Sequence, residues 1–250
     1  MIAEKLFHIE GNDITGITDE DYAKRQLLID TLELFSQTTS KSLYVIDFLH
    51  EKIVYASKNI RLLSGKSLEE ITAMGDDFYR QYIPKKNISN IIELRNEAFR
   101  FLKHRNAEER SQYRLSYDFI FKIGEDERLF NQCSVPLLWK EDGLWLLLCA
   151  ISPSASKNVG NGFLRKNGEY AYYEYLFGEH KWKKGSVAKI TQAEMMVMQL
   201  SAQGFTAEQI AEKMCKSVDT IKLYKRQLFK KIGVDNITHA LMYNLNYDLL

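Results

Sequence analysis

Cysteine is scarce: Cys133, Cys149 and Cys215 are odd in number and form no CxxC pair. That argues against a secreted disulfide framework and a structural zinc site. Long apolar runs are missing too. The longest, "LWLLLCAI" (144–151), falls far short of the roughly 20 residues a membrane helix needs. The opening "MIAEKLFHIEGN" lacks the basic-then-apolar pattern of a signal peptide, so the expected setting is the cytoplasm with no membrane contact. Net charge is nearly absent, at +1 over 250 residues, which argues against a protein that coats polyanions with its whole surface. Enzyme signatures are absent as well. There is no GxSxG, HExxH, P-loop or dinucleotide fingerprint. His8, His50, His104, His180 and His239 have no ligand spacing. The expectation is a non-enzyme with no metal and no cofactor.

What the chain does have is charge in one place. Between Lys216 and Lys231 stand six lysines and arginines and a single acid, Asp219. This stretch carries net +5 on a body of −4, the mark of one anion-binding surface.

Proline is also rare, at Pro84, Pro136 and Pro153, and the one clear breaker cluster is "SPSASKNVGNG" (152–162). It divides the chain into 1–155, a connecting piece 156–186, and 187–250. In the first part, 19–37 reads as a helix with Asp19, Glu20 and Asp21 at its positive end and Leu28, Leu32 and Phe35 on one face. "SLYVIDF" (42–48) and "KIVYA" (52–56) read as a hairpin. Short helical pieces fill 58–83, and 87–104 is a longer helix. Three long strands follow. In "YRLSYDFIFKI" (113–123), Tyr113, Leu115, Tyr117, Phe119, Phe121 and Ile123 share one face. The strand 144–151 is apolar on both faces, so both should be covered.

This order predicts a five-stranded antiparallel sheet packed with helices, an α+β domain. It resembles a PAS domain over about 38–152, and "NIRLLSGKSLEEI" (59–71) resembles the segment after the second PAS strand. The resemblance implies a sensory or dimerising module. A phosphate-accepting receiver fits less well, although Asp47 sits near a strand end. Asp76 and Asp77 follow helical pieces, and antiparallel strands close the domain. The segment 163–185 reads as a hairpin, expected over the outer face of strand 144–151.

The last part reads as four short helices. Thr191 with Glu194, and Thr206 with Gln209, form capping boxes. Ser217 caps a third helix that Gly233 ends, and Asn236 caps a fourth. Projected at 100° per residue, Val218, Ile221, Leu228, Phe229 and Ile232 fall on one arc of the third helix. Lys222, Leu223, Arg226, Gln227 and Lys230 fan across the other. Taken alone, such a face is often only solvated lysine. However, "IT..E" (190–194), "G.T..QIA..M" (204–214) and "S..TIK.Y...LFKKIGV" (217–234) resemble the helix-turn-helix of LuxR-type regulators. By that resemblance Lys222, Leu223 and Arg226 face bases in double-stranded DNA, and Ser217, Thr220, Tyr224 and Lys230 hold phosphates. Tyr224 and Ile237 depart from the usual histidine and arginine of that family.

The reading is thus a DNA-binding transcription regulator with a PAS-like sensory domain. The alternative is that this domain binds no small molecule and serves dimerisation or a protein partner. Apolar residues beyond the last helix's stripe (Met242, Tyr243, Leu249) and the helix 19–37 predict a homodimer. For a small-molecule ligand, alternation in "RLFNQCSVPLL" puts Leu129, Asn131, Cys133 and Val135 on one face. That face is expected to point inward. Asn131 and Cys133 would then meet a ligand together with Tyr117, Phe119 and Phe99.

Overall fold

The structure is a computed structural model that describes residues 5–60, 64–141, 143–154, 156, 159–186 and 189–247. Residues 61–63 of the PAS-like motif, and Leu249, lie outside these. Helix α1 (Asp19–Ser36) is followed by β1 (Ser42–Asp47) and β2 (Lys52–Ala56). Helices α2 (Leu68–Met74), α3 (Asp76–Tyr82), α4 (Lys85–Lys103) and α5 (Ala107–Arg110) come next. Strands β3 (Tyr113–Ile123), β4 (Asp126–Lys140), β5 (Gly143–Pro153), β6 (Gly162–Lys166), β7 (Ala171–Leu176) and β8 (Lys181–Ser186) complete the first unit. The second unit holds α6 (Gln192–Ala202), α7 (Ala207–Lys213), α8 (Val218–Ile232) and α9 (Ile237–Tyr247).

Strands β1 to β5 with helices packed between β2 and β3 form the expected PAS-like α+β core. The sheet is larger than five strands, however. All eight strands join one antiparallel sheet in the order β2-β1-β5-β4-β3-β6-β7-β8. The segment 163–185 does contain the expected hairpin, β7 and β8 turning at 177–180, but it does not lie over the outer face of β5. Strand β6 adds to β3, and β7 and β8 curl over α4. There the Tyr175 hydroxyl donates to Glu93 (2.7 Å), the Trp182 indole donates to the Glu97 carbonyl (3.4 Å), and Phe101 meets Tyr173 and Trp182. The edge of β3 is the open pairing site, because α1 already occupies the outer face of β5. Gly162 permits the curl: a Cβ there would lie 2.6 Å from Leu94 of α4.

The main core lies between the sheet and α2–α4. It holds Tyr44, Ile53, Phe78, Tyr79, Ile91, Leu94, Phe99, Leu115, Tyr117, Phe119 and Phe121. An irregular segment ahead of α1 seals its side, with Leu6, Phe7 and Ile9 buried. Periodicity gave no sign of this segment, because its apolar residues follow neither period.

Helix α1 starts at a Thr18–Asp21 capping box and covers the opposite face of β1 and β5. Its buried side runs through Arg25, Ile29, Leu32 and Ser36 rather than through Phe35. The Arg25 guanidinium is drawn to the fully buried Asp47 (3.0 Å), which also accepts from the Trp145 indole (3.2 Å). That ion pair turns Leu27, Leu34 and Phe35 outward, leaving them 67, 68 and 56% exposed.

Candidate nucleic-acid interface

The second unit is built from capped helices. Thr191 and Glu194 form a capping box on α6, as do Thr206 and Gln209 on α7. Glu194 is also a buried anchor. Lys231, near the end of α8, donates to its carboxylate at 2.7 Å. Burial pushes the Glu194 carboxyl up, but Lys231 and the Thr191 cap outweigh it and hold it below its ordinary value. Of the basic run, Lys231 therefore serves the fold.

The turn between α7 and α8 is tight. Cys215 takes a left-handed conformation (φ 51°), and the Lys216 N–H donates to the Ala211 carbonyl (2.9 Å). No sequence signal marked that position, since the left-handed region favours glycine or asparagine. Ser217 then caps α8, accepting from the Thr220 N–H at 3.2 Å, with the two hydroxyls 2.9 Å apart. Gly233 (φ 70°) closes the helix in the left-handed cap expected of it.

Helix α8 buries Ile221, Leu228 and Ile232 against α6 and α7, with Val218 and Phe229 partly covered. Asp219, Lys222, Leu223, Arg226, Gln227 and Lys230 stand exposed on its other side. Leu223 is 39% exposed, an apolar group left in water among cations. Ser217 is exposed at the start of α8, and Thr220 and Tyr224 flank the face half-buried. Tyr224 packs its ring against the cluster of Val197, Ile210 and Ile221. Lys225 is half-covered, as its place at the edge of the apolar arc implies. Ile237 packs in the core beside Ile232 and Leu228.

A helix that carries cations, an amide and one aliphatic group on its free side, led in by a short turned helix, is built for a DNA groove. Residues 188–244 match the family described as bacterial regulatory proteins, luxR family. This C-terminal unit is a LuxR-family helix-turn-helix domain. No curated protein matches the chain. Among solved structures, the chain is similar to the Vibrio cholerae VqmA dimer without target DNA, at 15% identity, covering 88% of each chain, with a TM-score of 0.36. It is also similar to a phage VqmA–DPO complex, at 14% identity, covering 90% of this chain and 89% of that one, with a TM-score of 0.32. The PAS domain of Bordetella pertussis BvgS matches 52% of this chain with 88% of its own, at 9% identity and a TM-score of 0.34.

The residues expected to hold a ligand do not come together. Tyr117, Phe119 and Phe99 face the helices in the main core. Asn131 and Cys133 lie on the other side of the sheet. Register decides this: Tyr117 pairs with Gln132 and Phe119 with Phe130, so Phe130, Gln132 and Ser134 point inward. Asn131 is buried among Ser116 and Asp118, donating to the Asp118 carboxylate at 3.0 Å. Its face is covered too, so apolar neighbours such as Val135 were no guide to which side is in. A polar row crosses the core in its place. Tyr79, Tyr44, Gln132, Ser134 and Cys149 are linked in sequence by hydrogen bonds, with Tyr44 to Gln132 at 2.5 Å and Gln132 to Ser134 at 3.0 Å. Burial pushes the Tyr44 and Tyr117 hydroxyls well up, and the Cys149 thiol up to about 11.

Proposed function

We propose that this chain is a sequence-specific DNA-binding transcription regulator whose α8 enters the major groove under the control of its PAS-like domain. The exposed face of α8 carries this reading. Lys222 and Arg226 are placed to read guanine edges, and Leu223 to meet a thymine methyl. Ser217, Thr220, Tyr224 and Lys230 are placed for phosphates, Tyr224 through its phenol. The work fits the cytoplasm, where the operator lies.

We further propose that it acts as a homodimer. The exposed Leu27, Leu34 and Phe35 of α1 support pairing through that helix. Two copies read a pseudo-palindromic operator with half-sites about one helical turn apart. Selection of sites from random duplexes, followed by footprinting, tests both statements. Two inverted half-sites are the expected result. Retention of no duplex at low salt would overturn the regulator, and a single unrepeated half-site would overturn the dimer.

A further inference from the structure

Packing buries Arg95, Arg110 and Arg165 of the first unit. The first two bond within that unit. Arg95 on α4 donates to the Leu6 carbonyl (2.6 Å), and Arg110 donates to the Lys103, Arg105 and Glu141 carbonyls. Arg165 on β6 reaches across to the second unit. Its Nη2 donates to the Tyr243 hydroxyl of α9 at 3.3 Å.

Strand register puts Arg165 there. Leu164 and Tyr173 pack in the main core, so Arg165 and its cross-strand partner Tyr172 point to the opposite face of the sheet. On that face the guanidinium lies over the Tyr172 ring (5.2 Å) and the Phe163 ring (5.7 Å), which meet edge to face. Gly185, opposite Tyr172 on β8, leaves room for that ring, since a Cβ would stand 2.6 Å from it. An arginine held by two aromatic faces presents a fixed fork to its partner. Tyr243 is fixed on its own side, with its ring packed against the cluster of Ile190, Leu228 and Ile232. Only its hydroxyl crosses.

Two ties thus bear on α8. One is at the connection between the units, where Lys231 of α8 donates to the Lys189 carbonyl (3.0 Å). The other runs from Arg165 through Tyr243. A short tether alone leaves a domain able to swing, and a second point of attachment removes most of that swing. The contact does not mask the reading face, because Lys222, Leu223, Arg226 and Lys230 stand exposed while it is made. We propose that Arg165 is a positioning residue for DNA recognition. Through Tyr243 it sets the direction of α8 relative to the sheet, and so the half-site spacing that a dimer accepts. Two joined copies engage two half-sites at once only when both reading helices are held at the matching separation. The proposal rests on reading the chain as a dimeric DNA-binding regulator.

The test uses the full-length protein, the selected operator with its spacer lengthened stepwise by up to about five base pairs, half a helical turn, and a duplex holding one half-site. The wild type should prefer its best spacer over the longest by about tenfold or more. Tyr243→Phe keeps the ring in the helical core and removes only the hydroxyl. Arg165→Met keeps an unbranched stem between the two rings. Both should bring the spacer ratio close to one while affinity for the single half-site stays at the wild-type level. If Arg165→Met does not fold, Tyr243→Phe still decides. An unchanged ratio in Tyr243→Phe would overturn the proposal. So would a change in half-site affinity equal to the change on the whole operator, in either direction, because masking or lost stability would explain it. A wild-type dimer that binds duplex with no spacer preference would overturn it as well. Retention of no duplex, or a monomer on sedimentation, would overturn the regulator or the dimer along with it, which sets those failures apart.

Discussion

Arg226 and Lys230 stand one turn apart on the exposed side of α8, yet their losses are expected to differ in kind. Arginine can pair with a base edge through two nitrogens, so Arg226→Ala should cost about 1–3 kcal/mol at one operator position and relax the preference there. Lysine on a phosphate carries no sequence information. Lys230→Ala should weaken all duplexes alike and flatten the salt dependence by about one counterion. Titrations of operator and scrambled duplex at several salt concentrations separate the two outcomes. Equal affinity of wild type and both variants at moderate salt would reject this face as the reader. Lys231, next in sequence, should behave differently again because it is committed to Glu194.

At the scale of elements, that pair fastens α8 to α6. Lys231→Ala leaves a buried carboxylate without its charged partner, and it should cost about 1.5–3 kcal/mol of stability in the C-terminal domain. The pH dependence follows from sign. The folded Glu194 lies below its ordinary value of 4.5, so its contribution is full at neutral pH and fades as pH falls through the folded value. Thermal unfolding of wild type against Glu194→Gln should show a difference that shrinks on acidification; a constant gap from pH 7 to acid would contradict it. These helices were legible in the sequence because each carries its own punctuation, from Thr191, Thr206 and Ser217 at the starts to Gly233 at an end. The PAS-like sheet was legible as strands but not as faces. Asn131 and Gln132 are both buried, so alternation could not say which looked inward. Nor could it show that β6 to β8 join β3, since that pairing is set by a free edge far away in sequence. Arg95 escaped notice for a like reason: an arginine on a helix reads as solvated until packing buries it.

For the whole molecule, assembly is the property most open to test. If α1 is the seam, a charge placed at Leu27 or Leu34 should dissociate the dimer, because both side chains are about two-thirds exposed in one copy. Leu27→Glu and Leu34→Glu should sediment as monomers and bind DNA with lower apparent affinity. An unchanged sedimentation coefficient would move the seam elsewhere. The curl of β7 and β8 over α4 has a mechanical meaning as well. Helix α4 is a beam gripped from two sides. Its inner side buries Arg95, which donates to the Leu6 carbonyl, while Glu93 and Glu97 on its outer side hold Tyr175, His180 and Trp182. Strand β8 ends at Ser186, and only 187–191 separate it from α6 of the DNA-binding domain. Any shift of the beam thus has one hairpin and five residues of chain to travel before it reaches the helices that face the operator.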